Sequence, residues 1–159
     1  MIGLECKYTD KFSFKPSKSE IFYGDEGNEN YHTFKEIYDK SKTSFMKPFF
    51  DFVRNKDYNQ LFRNQLIKEA LLQNSHYDFV YSGLFCFQDD TEAITIGENF
   101  KTMLTNSDSF QVITYAEYIS RIQQLKLDWK KREWTMLLWA RYCATSLSDS
   151  TTLTLQKQT

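Results

Sequence analysis

Apolar and polar residues alternate at the start of the chain: Ile2, Leu4, Cys6 and Tyr8 fall on one side, and Gly3, Glu5 and Lys7 on the other. A period of two marks a β-strand, so residues 2–8 are expected to be extended. Residues 9–30 lose this alternation. Pro16, Gly24, Gly27 and many Ser, Asn, Asp and Lys read as a long polar loop, with a short strand around 21–23.

Helical spacing takes over from residue 31. Phe34, Ile37 and Tyr38 predict a helix over 31–42, and 45–53 gives a short aromatic-rich helix interrupted by Pro48. Asp57 reads as an N-cap for a helix over 58–73, where Leu61, Phe62, Leu66, Ala70 and Leu71 recur at helical intervals. Residues 77–87 are dense in aromatic and β-branched side chains and predict a central strand, with Ser82-Gly83 permitting a bulge. A helix over 89–106 is expected despite Gly97 and the β-branched run Ile94-Thr95-Ile96, followed by a short strand over 110–114. One or two helices then fill 115–144, and a Ser, Thr and Gln-rich tail follows.

This order, without internal repeat or linker, describes one α/β sandwich: a single domain over 1–145 with a flexible tail at 146–159. A chain of 159 residues suits a single domain. Apolar residues at 41% and charged residues at 26% exclude a disordered chain or a coiled coil. Fourteen Phe, ten Tyr and three Trp imply either a thick aromatic core or stacking surfaces. Trp129, Trp134 and Trp139 recur every five residues, which spreads them around a helix and predicts core packing.

A net charge of −1 gives no global pull toward polyanions, so nucleic-acid binding would need a local patch. Lys7, Lys11, Lys15 and Lys18 form one candidate, and Lys126, Lys130, Lys131 and Arg132 a second; solvated surface lysines are the plain alternative for each. Cys6, Cys86 and Cys143 are odd in number and far apart, against a disulfide framework or zinc knuckle and in favour of a reducing cytoplasm. No apolar run has the ~18 residues of a membrane span. His32 and His76 are isolated and expected at the surface, and nucleotide-loop and acyl-transfer signatures are absent.

Chemistry enters at Glu5-Cys6-Lys7. On a strand, residues two apart share a face, so Glu5 could offer carboxylate oxygens to Mg²⁺ while Lys7 polarises water and offsets phosphate charge. The Cys6 carbonyl would be a further ligand. Such parts suit phosphodiester hydrolysis, although a chain this rich in Glu and Lys carries about one E-x-K by chance and a solvated edge strand is the alternative.

The run Gly3-Leu4-Glu5-Cys6-Lys7-Tyr8-Thr9-Asp10, the long loop, and then Gln60-Leu61-Phe62-Arg63-Asn64-Gln65-Leu66 resemble the restriction-endonuclease-like PD-(D/E)XK superfamily. They are more narrowly similar to bacterial restriction-endonuclease-like proteins, in which a G-x-E-x-K-Y-[ST] strand precedes a helix carrying R-x-Q-L. The stretches Tyr115-Ala116-Glu117-Tyr118-Ile119 and Trp139-Ala140-Arg141-Tyr142 resemble that group's C-terminal helix. The resemblance implies a restriction-endonuclease-like three-layer sandwich with a central mixed sheet, and a nuclease-like domain over 1–145. It implies Glu5 as a ligand to Mg²⁺ or Mn²⁺, Lys7 as the catalytic lysine, and Arg63 and Gln65 approaching the site or the phosphate.

Members carry an acidic residue on the strand before E-x-K, and none stands there in this sequence. An N-terminally truncated member, lacking its first helix and strand, is the expectation. Substitution by Glu20, Asp25 or Glu26 and an inactive metal centre are the alternatives. The implied function is a Mg²⁺-dependent DNA endonuclease whose Lys11, Lys15 and Lys18 loop contacts phosphates, with a homodimer left open. A catalytically silent DNA-binding or protein-interaction domain, the latter using an aromatic patch at 45–52, is the alternative.

Overall fold

The computed structural model describes residues 2–7, 26–27, 29–74 and 76–144; of these, the side chains of Leu4, Glu5, Lys7 and Glu29 are not described. Strand β1 (Ile2–Lys7) is followed by helix α1 (Glu29–Lys40), a 3₁₀ turn at Lys42–Ser44, α2 (Phe49–Val53) and α3 (Asn59–Asn74). Strand β2 (Tyr81–Cys86), α4 (Thr91–Lys101), a second 3₁₀ turn at Ser107–Ser109, β3 (Phe110–Thr114), α5 (Tyr115–Gln123) and α6 (Trp129–Tyr142) complete the order. The strands form one sheet in the order β1-β2-β3, with β1 and β2 parallel. The α/β class expected from the alternating periodicities is the class observed.

The chain divides into two compact units, Met1–Cys86 with Asp90–Val112, and Phe87–Asp89 with Ile113–Thr159. The first is built around aromatic rings. Phe62 stacks on Phe52 with centroids 4.6 Å apart and meets Phe45 and Phe49 edge-on at 5.3 and 5.7 Å. Phe52 also meets Phe100, which packs edge-on against Phe110 at 5.1 Å. Edge-to-face contacts set the negative face of one ring against the positive edge of the next, so this core absorbs much of the phenylalanine load. Helix α3 lies against β1 and β2, and α4 against β2.

Glycine lets α4 approach closely. A Cβ at Gly97 would sit 2.7 Å from a Val112 methyl and 2.9 Å from a Leu84 methyl, so this helical glycine lets the helix down onto the strands. Asp90 caps α4 by accepting from the Ala93 amide at 2.9 Å. In the second unit Thr114 caps α5 and Asp128 caps α6 in the same way. There Tyr115 stacks on Tyr142 at 5.0 Å, and α5 packs against α6.

Several local expectations are corrected. Residues 45–48 do not join a helix: Phe45 forms an isolated bridge with Leu104, and Pro48, extended, stands as the N-cap of α2 because its ring suits a helix start and not an interior. The side chain that receives backbone amides before α3 is Asn55, from Asp57 and Tyr58, and not Asp57. The ladder from Ile2↔Tyr81 to Lys7↔Cys86 skips no residue, so Ser82-Gly83 makes no bulge against β1; residues 77–80 precede the ladder. Trp129, Trp134 and Trp139 are exposed by 69%, 53% and 42%, which overturns core packing for all three.

Candidate active site

The site is built on a parallel pair of strands. In register, Gly3 lies opposite Ser82, Glu5 opposite Leu84 and Lys7 opposite Cys86. Strand periodicity puts positions 3, 5 and 7 on the sheet face occupied by Ser82, Leu84 and Cys86. That face is the covered one, since all three β2 residues are buried whereas Ile2 and Cys6 on the alternate positions are exposed. It opens at one end. Gly3 is exposed, and among the described residues a Cβ there would meet only the Tyr81 carbonyl, at 4.0 Å. Positions 5 and 7 are spaced about 6.6–6.8 Å along the strand. Positions 5 and 7 thus fall, by register, on the face that carries Ser82 and Leu84, with Cys6 on the other, and the expected strand at the start of the chain is present.

Helix α3 brings Gln65 to the same face. Gln65 is 1% exposed, and its Oε1 accepts from Ser82 Oγ at 2.5 Å, the residue opposite Gly3 and one face-step from position 5. Its Nε2 donates to Glu69 Oε1 at 3.2 Å. Lys68 Nζ donates to the same Glu69 oxygen at 3.3 Å and to Ser109 Oγ at 2.9 Å, and Ser44 Oγ donates to Glu69 Oε2 at 3.3 Å. Lys68 and Glu69 form an ion pair with side chains only 8% exposed. A polar web therefore runs from β2 through α3 to both 3₁₀ turns inside an otherwise aromatic core.

Of the residues expected at the site, Gln65 is brought to the sheet face of Glu5 and Lys7. Arg63 is half-buried on α3, but two residues of helix turn through about 200°, which puts it on the opposite side from Gln65. Lys11, Lys15, Lys18, Glu20 and Asp25 lie outside the described residues; Glu26 is exposed on a turn. His32 and His76 are exposed, as expected. Sequence reasoning misses Ser82, Lys68 and Glu69. For Glu69 a signal is present, because Phe62, Gln65, Leu66 and Glu69 share the i, i+3, i+4, i+7 stripe of α3, and polar residues on a core stripe need partners.

The cysteines are free and differ in setting. Burial, with Asp90 nearby as a lesser cause, pushes the Cys86 thiol up to about 11, and burial also raises Cys143. Cys6 is exposed.

The model of the PD-(D/E)XK nuclease superfamily matches residues 1–144, which include the E-x-K strand, Gln65 and every helix and strand described above. The chain belongs to the PD-(D/E)XK nuclease superfamily. No curated protein and no solved structure matches it. Nucleases of this superfamily generally use divalent metals. Among the described residues no three His, Cys, Asp or Glu side chains gather as a metal cage. A glutamate carboxylate and a backbone carbonyl are oxygen donors, the kind that hard divalent cations take. No helix among the described residues is long and apolar enough to cross a membrane.

Proposed function

We propose that this chain is a DNA endonuclease dependent on Mg²⁺ or Mn²⁺. The observation that carries the proposal is the register of β1: the E-x-K positions share a sheet face with Ser82, the hydroxyl held by the buried Gln65 of α3. Glu5 would hold the metal through its carboxylate, assisted by the Cys6 carbonyl. The bound ion would supply charge to the phosphate and acidify a water.

The protein's own groups supply the rest. The Lys7 ammonium orients the attacking water and offsets charge developing on the phosphate oxygens, an effect that is larger in a covered site than in bulk water. Gln65, whose amide is already committed on both ends, serves this site by holding β2 and α3 in place beside β1. Lys11, Lys15 and Lys18 would grip backbone phosphates, and Arg63, on the far side of α3 from Gln65, would do so away from the scissile bond. In a reducing cytoplasm the free cysteines would stay as thiols.

Supercoiled plasmid incubated with Mg²⁺, Mn²⁺ or excess chelator tests the proposal. Wild-type protein should nick or linearise the plasmid only with the metals, and Glu5→Ala and Lys7→Ala should each abolish cutting. Wild-type protein that binds DNA in a salt-sensitive way but cuts under none of these conditions would overturn the enzyme reading in favour of a silent DNA-binding relative.

A further inference from the structure

We propose that Glu69, backed by Lys68 and Ser109, is a positioning residue that locks the Gln65 carboxamide in one orientation against the site face of the sheet. The inference rests on the nuclease reading for its consequence in rate, but not for its geometry. A carboxamide has two nearly isosteric ends and can turn over unless its partners differ in kind. Here they do. An ionised carboxylate only accepts, so Glu69 Oε1 at 3.2 Å must face Nε2, which leaves Oε1 of Gln65 for the Ser82 hydroxyl at 2.5 Å.

Glu69 is itself held from three directions. Its Oε1 receives Lys68 as well as Gln65, its Oε2 receives Ser44 Oγ from the first 3₁₀ turn, and Lys68 is anchored onto Ser109 of the second. The Ser109 hydroxyl in turn donates to the Asn106 carbonyl at 2.8 Å. Every member of this web therefore has a fixed donor or acceptor sense, running Asn106, Ser109, Lys68, Glu69, Gln65, Ser82. Its last member lies opposite Gly3, on the face that carries positions 5 and 7.

Stability alone does not account for the pair. Burying two charges costs about as much as their attraction returns, and apolar replacements of similar volume are often neutral or stabilising. An aromatic core able to fill these positions with apolar groups instead keeps a saturated polar chain that ends beside the E-x-K strand. Orientation is what such a chain supplies and an apolar filling would not.

Two double variants isolate the effect. The first, Lys68→Met with Glu69→Gln, removes the charges without opening a cavity and replaces the acceptor-only carboxylate by a second carboxamide, which can itself turn; the second, Lys68→Met with Glu69→Leu, removes the acceptor altogether. Neither leaves an unpaired charge, so both should fold, and the second, which strands the buried Gln65 amide, should melt at the lower temperature. The side-chain amide protons of Gln65, assigned by NMR through Gln65→Glu, should lie away from free-amide shifts and exchange slowly in the wild type, and should move to shifts averaged over both orientations in each double variant. Plasmid cleavage should follow, with kcat lowered roughly ten- to hundredfold and little change in KM in both.

A second double variant that keeps both a fixed Gln65 amide and full cutting would overturn the inference, as would an averaged amide with unchanged kcat. If the wild type cuts with no divalent ion, or not at all, the nuclease reading falls by itself, and the amide signal alone then decides the positioning claim. A fixed amide in the wild type, with averaging in both double variants, upholds it; any other pattern overturns it.

Discussion

Replacing Gly97 with alanine should destabilise the protein, against the ordinary preference of helices. In an exposed helix interior the change is favourable by about 1 kcal/mol, because alanine has less backbone entropy to lose. At Gly97 the new methyl would meet Val112 Cγ2 at 2.7 Å and Leu84 Cδ2 at 2.9 Å, about 1 Å inside ordinary carbon contact. Val112 is β-branched and stiff, and Leu84 is fully buried, so neither yields freely. Overpacking of this kind costs about 1–3 kcal/mol, which leaves a net loss of up to roughly 2 kcal/mol once the helix gain is subtracted. For a chain of this size that is a fall of up to roughly 8 °C in Tm, measured by far-UV circular dichroism. Combining Gly97→Ala with Val112→Ala should recover about 1 kcal/mol relative to the sum of the single changes, since the pair is in contact. The reasoning is refuted if Gly97→Ala alone raises Tm. Because Leu84 stands opposite Glu5, the single variant should also cut plasmid more slowly than its loss of stability explains.

Three further outcomes follow from particular groups. Phe62→Ala removes the ring that meets Tyr38, Phe45, Phe49 and Phe52, and should cost about 3–5 kcal/mol, a large part of the roughly 5–15 kcal/mol that holds a native domain folded; urea titration measures it. Brief alkylation at neutral pH followed by peptide mass spectrometry should modify Cys6, which is exposed, and spare Cys86, which is buried with its thiol pushed up to about 11; equal labelling would contradict the packing of β2. The Asp128 carboxyl is held below its ordinary 3.8 by hydrogen bonds from the Lys131 amide and then the Lys131 side chain. A depressed carboxylate stabilises above its unfolded pKa and loses that contribution as pH falls through the folded one, so the start of α6 should fray only below about 3.8. In Asp128→Asn, which keeps the cap but cannot ionise, the Lys131 amide shift should be flat over that range.

Legibility in the sequence tracks how local each determinant is. Strand β1 and helix α3 are readable because a single period governs each over its whole length, and α/β alternation follows from them. Strand β2 reads too long, since Tyr77 and Phe79 have strand-like side chains yet the ladder begins only at the pair Ile2↔Tyr81; pairing is a property of two segments, not of one. Pro48 misleads because the same residue interrupts a helix or starts one, and only the Phe45↔Leu104 bridge decides which. Gly97 looks like a weak helix position because its reason, two methyl groups from β2 and β3, is distant in sequence. The E-x-K positions are legible as a pattern, but which sheet face they occupy requires the register with β2.

The least legible feature is the buried pair of α3. Lys68 and Glu69 sit in a helix whose composition resembles any solvated helix, and adjacency of opposite charges in sequence says nothing of burial. Their neighbours on the stripe do: Phe62 and Leu66 are fully buried, and Gln65 and Glu69 continue the same face. A helix that turns a carboxylate and an amide into an aromatic core has to satisfy every polar atom there or lose stability, and partners arrive from Ser44, Ser82 and Ser109, far apart along the chain. Small hydroxyl residues on a strand and two turns are then not generic polar filler. They are the fixed ends of a web whose remaining end meets β2 opposite the strand that carries Glu5 and Lys7, which ties the geometry of the proposed centre to residues outside it.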